Sequence, residues 1–337
     1  MFFQIQSNRD EVLSRYSTTC MRGILALVVL AHHLFQFSGV DLGFALNHTL
    51  QAAGYLAVGM FYFLSGYGLT RSSRRKGYLQ CFFKRRFIPL YAFYAFLVVI
   101  YAALERALSI DWTVLDLLQS LIFGNSLVYL GWYLQTLFLL YILFWVIFST
   151  IPNDKHRLLT LTVSLAVYSL LCHACGLAST WYESVFCFPF GMLWAIGQTS
   201  IDSALLTPRL TNSKKWACWF VCLLITFATI LGAFVSLISK MLSAVCFTTF
   251  VVVTKYAIGD TKIFFNQVIH WLGTYSLEIY VYQGLFLCMK RQGVFAESST
   301  ALFVIGTILG TVLVSVVMKQ VWGSIWRPLS RLLRLSQ

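Results

Sequence analysis

Of 337 residues, 59% are hydrophobic and only 11% are charged, far below the roughly 25% charged residues of an average soluble domain. A soluble globular fold is excluded, and an integral membrane protein is indicated. The formal net charge of +13 does not mark a nucleic-acid binder, because the basic residues collect in short polar segments between apolar runs.

Crossing a hydrocarbon core of about 30 Å takes about 20 apolar residues at about 1.5 Å each. That requirement predicts an all-α polytopic membrane helix bundle of about ten transmembrane helices with short loops. The runs fall at 21–38, 50–70, 87–105, 126–149, 158–177, 184–200, 216–236, 240–258, 267–288 and 300–319. Residues 1–20 mix charged with apolar positions and read as a short cytoplasmic amphipathic segment, without the pattern of a cleavable signal. Residues 320–337 alternate Trp, Leu and Arg as an interfacial, basic amphipathic segment does. No connection is long enough for a second domain, so 1–337 reads as one integral-membrane domain. With the N-terminus inside, every Lys and Arg except Arg106, Lys240, Lys290 and Arg291 falls on the cytoplasmic side, as the positive-inside rule requires. Both termini are then cytoplasmic, in a multi-pass protein of the cell membrane whose basic segments attract membrane lipids.

The first run, RGILALVVLAHH from Arg22 to His33, carries two histidines in a segment built for lipid. Arg22 can reach the headgroups, but the imidazoles have no such escape. His33 lies eleven residues from Arg22, about three helical turns, so the two share a face, whereas His32 points about 100° away. His33 is therefore the functional candidate, and His32 reads as a packing or hydrogen-bonding residue. The connection after the second run, TRSSRRKGYLQCFFKRRFIPLY, sets Lys84, Arg85 and Arg86 against the start of the third. Guanidinium groups there suit the phosphates of an anionic cytosolic ligand. Trp132, Tyr133 and Gln135 in GWYLQ mark the fourth run. Cys172, His173 and Cys175 form a compact cluster, but a structural metal site usually needs four ligands, and no metal is expected. The ninth run holds Glu278 and Gln283 in SLEIYVYQ.

Taken together, these stretches resemble the acyltransferase family 3 proteins, multi-pass enzymes that often acetylate bacterial surface polysaccharides. The arginine, ten intervening residues and histidine of that family's first span fall on Arg22 and His33. FYFLSGYGL at 61–69, KRRFIPLY, WYLQTLFLLY, FPFGM at 188–192 and SLEIYVYQ are similar to family motifs, in the family's order. Where many members end the last motif with histidine, this chain has Gln283.

The resemblance implies an acetyl-CoA-dependent O-acetyltransferase whose acceptor is a glycan or lipid-linked sugar; it leaves the oligomeric state open. Arg22, Arg85 and Arg86 are then the candidate donor contacts. His33 is either a general base or a covalent acyl carrier, and Glu278 is the second catalytic candidate. Tyr133, Gln135, Glu278 and Gln283 are candidates for the outer part of a path to the acceptor, with Trp132 beside them. The rival class is a proton-coupled transporter or exporter using His33 and Glu278. The lack of internal repeats and the basic rim stand against it.

Overall fold

The computed structural model describes residues 12–122, 126–206, 212–233, 236–259, 261–296 and 298–333. All regular structure among them is helical: α1 Arg15–Ser38, α2 Phe44–Ser73, α3 Ile88–Ala107, α4 Val114–Ser120, α5 Trp132–Thr150, α6 Asp154–Ala174, α7 Cys187–Leu205, α8 Asn212–Gly232, α9 Leu237–Ile258, α10 Gln267–Thr274, α11 Ser276–Arg291 and α12 Thr300–Leu332. A π-helical turn, Phe83–Phe87, leads into α3.

The helix ends follow from local chemistry. Asn153, Ser236 and Ser299 accept hydrogen bonds from the first free N–H groups of α6, α9 and α12, which would otherwise lack partners. Pro89 occupies the first turn of α3, where its missing N–H costs nothing.

Among the described residues, every apolar run of the sequence overlaps a helix. Seven helices among the described residues are long and apolar enough to cross a membrane: α1, α2, α3 with its π turn, α5, α6, α9 and α12. The apolar part of α8, Trp216–Gly232, is shorter. The run at 267–288 is not one helix but two, α10 and α11, parted at Tyr275. Residues 320–332 do not form a separate surface segment; they continue α12, which passes through Pro328. Of residues 1–20, positions 1–11 lie outside the described residues, and α1 already begins at Arg15.

By packing, the chain divides into two units, residues 1–25, 52–76 and 146–274, and residues 26–51, 77–145 and 275–337. In the first, α2 and α7 approach so closely that their glycines are indispensable. A Cβ at Gly66 would lie 2.1 Å from the Phe188 carbonyl oxygen, and one at Gly191 would lie 2.1 Å from that of Phe63. FYFLSGYGL and FPFGM are thus two halves of one helix contact, of the small-residue kind that lets membrane helices touch.

In the second unit, the chain after α3 turns back into the interior. Tyr94 lies thirteen residues before the end of α3, about 20 Å along the axis. Its hydroxyl nevertheless donates to the Ser120 carbonyl at 2.7 Å and meets the Ser126 hydroxyl at 2.8 Å. The Gln135 amide donates to the Tyr94 oxygen at 2.8 Å and to the Ser120 carbonyl at 3.2 Å. Tyr91 donates to the Leu121 carbonyl at 2.8 Å. Residues 108–122, with the Thr113–Asp116 capping box at the head of α4, therefore fold back beside the middle of α3, and Ser126 lies there too. Non-helical backbone survives at such depth only when its polar groups are satisfied inside the protein. This shifts the fourth span: α5 starts at Trp132, not 126.

The network yields a test. Tyr94→Phe and Gln135→Leu should each cost about 1–2 kcal/mol, the usual penalty for stranding a buried partner, read as a lowered thermal midpoint in detergent. The double mutant should lose less than the sum, because both side chains serve the same carbonyl.

Candidate functional site

His33 lies on the second unit's part of α1, half-buried, and its Nδ1 faces the Gln36 side-chain oxygen at 3.2 Å. An amide oxygen can only accept, so Nδ1 donates and Nε2 keeps the lone pair that can take a proton. His32 is buried, and its Nδ1 donates to the Leu50 carbonyl at 2.6 Å. The rings sit 4.8 Å apart at 60°. One imidazole thus ties α1 to α2, while its neighbour is oriented by a side chain one turn along. Gln36 escapes a sequence reading because a glutamine near a helix end is unremarkable; only its i+3 spacing from His33 hints at contact. Arg22 is half-buried on the same unbroken helix, about 16 Å along it from His33.

Arg85 and Arg86 are exposed in the π turn before α3. Phe93 and Phe96 of α3 pack against Trp322 of α12, with ring centroids 5.8 and 5.1 Å apart. The start of α3 and the far part of α12 therefore share one end of the second unit. Glu278 stands at that same end, in the first turn of α11, paired with Lys319 at 3.0 Å. The Lys319 ammonium also lies 4.5 Å over the Tyr275 ring. Glu278 was expected on the outer part of a path; it belongs instead to the end that carries Arg85 and Arg86.

The start of α5 lies beside the middle of α3, where the Gln135 amide meets the Tyr94 oxygen. Tyr133 is buried with its ring 4.8 Å from Tyr280 of α11, and Trp132 meets Tyr133 edge-on at 6.4 Å. Gln283 is fully buried; its amide donates to the Tyr280 carbonyl at 3.0 Å, and its side-chain oxygen has no hydrogen-bond partner. Tyr133 and Gln283 thus converge on Tyr280, whereas the Gln135 amide holds the Ser120 carbonyl.

A family model described as an acyltransferase domain, acyltransferase family 3, matches residues 15–319. The chain belongs to that family. Over 78 residues it is 38% identical to Acyltransferase MdmB of Streptomyces mycarofaciens, a match covering 22% of this chain and 20% of that protein. The stretch shared with that curated relative is thus about a fifth of its length. No solved structure matches the chain.

For a family 3 acyltransferase, the geometry separates roles that the sequence merges. The His33 ring is held by the Gln36 side-chain oxygen. Glu278 is held by a cation. Lys319, which no sequence motif flagged, is the cation paired with Glu278.

Proposed function

We propose that this membrane acyltransferase moves an acetyl group from cytosolic acetyl-CoA to a hydroxyl of a cell-surface glycan or its lipid-linked precursor, from a ten-span arrangement with both termini cytoplasmic. The observation that carries the reading is the His33 imidazole, half-buried in an apolar helix with Nδ1 engaged by Gln36 and Nε2 left to act. As general base, Nε2 takes the proton of the acceptor hydroxyl while that oxygen attacks the thioester carbonyl. The carbon–sulfur bond then breaks, and the imidazolium returns the proton to the thiolate. In the relay alternative, Nε2 itself attacks the thioester carbonyl and the carbon–sulfur bond breaks to release the thiolate; the acceptor hydroxyl then attacks the acetyl-imidazolium, freeing Nε2, and its proton goes to the thiolate. Both routes use the same nitrogen.

Arg85 and Arg86 are suited to the donor's phosphates, because exposed guanidinium groups at the end of a membrane helix bind phosphate bidentately without prior desolvation. Arg22 supplies a further cation on the His33 helix. Tyr133 and Gln283, which converge on Tyr280, are the residues assigned to the acceptor.

Purified protein should bind acetyl-CoA in preference to acetyl-pantetheine, which has the same thioester and no nucleotide phosphates. Isothermal titration should show the preference weakening with salt, and more steeply than a fully buried site would show. Equal affinity for the two would remove Arg85 and Arg86 from the donor site.

A further inference from the structure

The charge bias of the sequence leaves Arg106, Lys240, Lys290 and Arg291 outside the cytoplasmic segments. Two of them are neutralised: Arg106 pairs with Asp111, and Lys240 with Glu183 at 2.6 Å. Lys290 and Arg291, the last residues of α11, have no ion-pair partner among the described residues. Lys290 rests 5.0 Å over the Phe303 ring, and Arg291 is exposed. The free carbonyls of a helix C-terminus favour cations, so the pair is stable there without an acid of its own and stays open to an anion from outside.

This end of the second unit also holds His33. Leu30 and Leu34, on either side of His33 in sequence, share one apolar cluster with Leu287 and Phe303. Phe37, one turn past His33, and Phe295, just past α11, both pack on that cluster, so α1 and α11 finish on the same side. Arg291 therefore stands one turn, about 6 Å, beyond the level of Leu287, and about 20 Å along α11 from Glu278. Two half-exposed rings connect the imidazole with the guanidinium, Phe37 meeting Tyr129 edge-on at 6.1 Å. A Cβ at Gly284 of α11 would come within 3.4 Å of the Tyr129 Cβ, and the Arg291 charge reaches the Tyr129 hydroxyl. Three carboxylates of this end are occupied: Asp111 by Arg106, Asp116 by the Thr113 cap, and Asp41 by Gly43 and Asn47. Glu105, whose charge reaches Cys288, is outnumbered by the two cations.

We propose that the acceptor sugar carries an anionic group, carboxylate or phosphate, which Arg291 and Lys290 hold while Phe37 and Tyr129 pack on the sugar and its hydroxyl reaches His33. A guanidinium takes either anion bidentately, and an aromatic ring offers a large, rigid apolar face with little entropy to lose. The dimensions agree, because one helical turn, about 6 Å, is close to the width of one sugar ring. Tyr129 lies one turn before Tyr133, and Arg291 about two turns after Gln283, so the site continues the acceptor path to the end of the unit. The inference rests on the acetyl-transfer reading for the role of His33; anion recognition by Arg291 stands without it.

Three trisaccharides that differ only in their terminal residue, a hexose, the corresponding hexuronic acid or the hexose 6-phosphate, test it. Their binding is measured by saturation-transfer NMR on the full chain in nanodiscs of zwitterionic lipid, without acetyl-CoA. At least one anionic probe should bind about tenfold tighter than the neutral one, the size of one charge-assisted contact, and the tighter of the two names the group. Arg291→Gln should abolish that preference and Arg291→Lys should keep part of it. Arg106→Gln, which removes a cation already paired with Asp111, should leave it intact. His33→Ala should keep it too, so loss of acetyl transfer and loss of anion recognition are read separately. Equal binding of the three probes, or binding of none, would overturn the proposal. So would a preference that survives in Arg291→Gln.

Discussion

Replacing His33 with alanine is expected to leave acetyl-CoA binding nearly intact while lowering turnover by at least the roughly 10²-fold that follows loss of a general base. The loss will be larger if Nε2 carries the acetyl group. His32→Ala should behave differently, because its imidazole donates to the Leu50 carbonyl. Its loss strands that acceptor and should lower stability by about 1–3 kcal/mol with a smaller effect on turnover per folded molecule. Gln36→Leu should fall between them, leaving His33 in place but free to rotate or to change tautomer. Turnover measured per folded, membrane-inserted molecule separates the three. If His32→Ala abolishes transfer in folded protein while His33→Ala retains it, the two imidazoles have been assigned the wrong way round.

The second large effect is structural. Gly66→Ala and Gly191→Ala each push a methyl group to within 2.1 Å of a backbone oxygen on the facing helix. No side-chain rotation relieves such a clash, so α2 and α7 must part. The cost should exceed the usual overpacking range of about 1–3 kcal/mol, a large share of a total stability of about 5–15 kcal/mol. Gly68, in the same motif, has open space where its Cβ would be. Gly68→Ala should therefore be neutral or gain up to about 1 kcal/mol from helix propensity. Yield and monodispersity on size exclusion check both, and a Gly66→Ala protein as well behaved as Gly68→Ala would contradict the close approach.

The helical class and the place of nearly every helix were legible because lipid demands long apolar runs, and hydropathy reports length directly. The Arg22 and His33 spacing was legible for a similar reason: an ionisable group in such a run stands out. Hydropathy could not show that residues 108–122 fold back beside α3, since the bonds from Tyr94 and Gln135 to the Ser120 carbonyl link distant positions. The pairing of Glu278 with Lys319 was not legible, because the two lie forty-one residues apart on different helices. The motif glycines were visible as a pattern, but only the α2–α7 contact gives Gly66 a reason that Gly68 lacks.

The central claim is acetyl transfer through His33, and it is tested most directly in inside-out membrane vesicles given acetyl-CoA labelled on its acetyl group. With the wild-type protein, label should accumulate as a base-labile ester on glycan or lipid-linked sugar. With His33→Ala, present at equal level and binding acetyl-CoA equally, the ester should fall by at least about 10²-fold. Ester formation unchanged in His33→Ala, or absent from wild-type vesicles supplied with their own acceptors, would contradict the account.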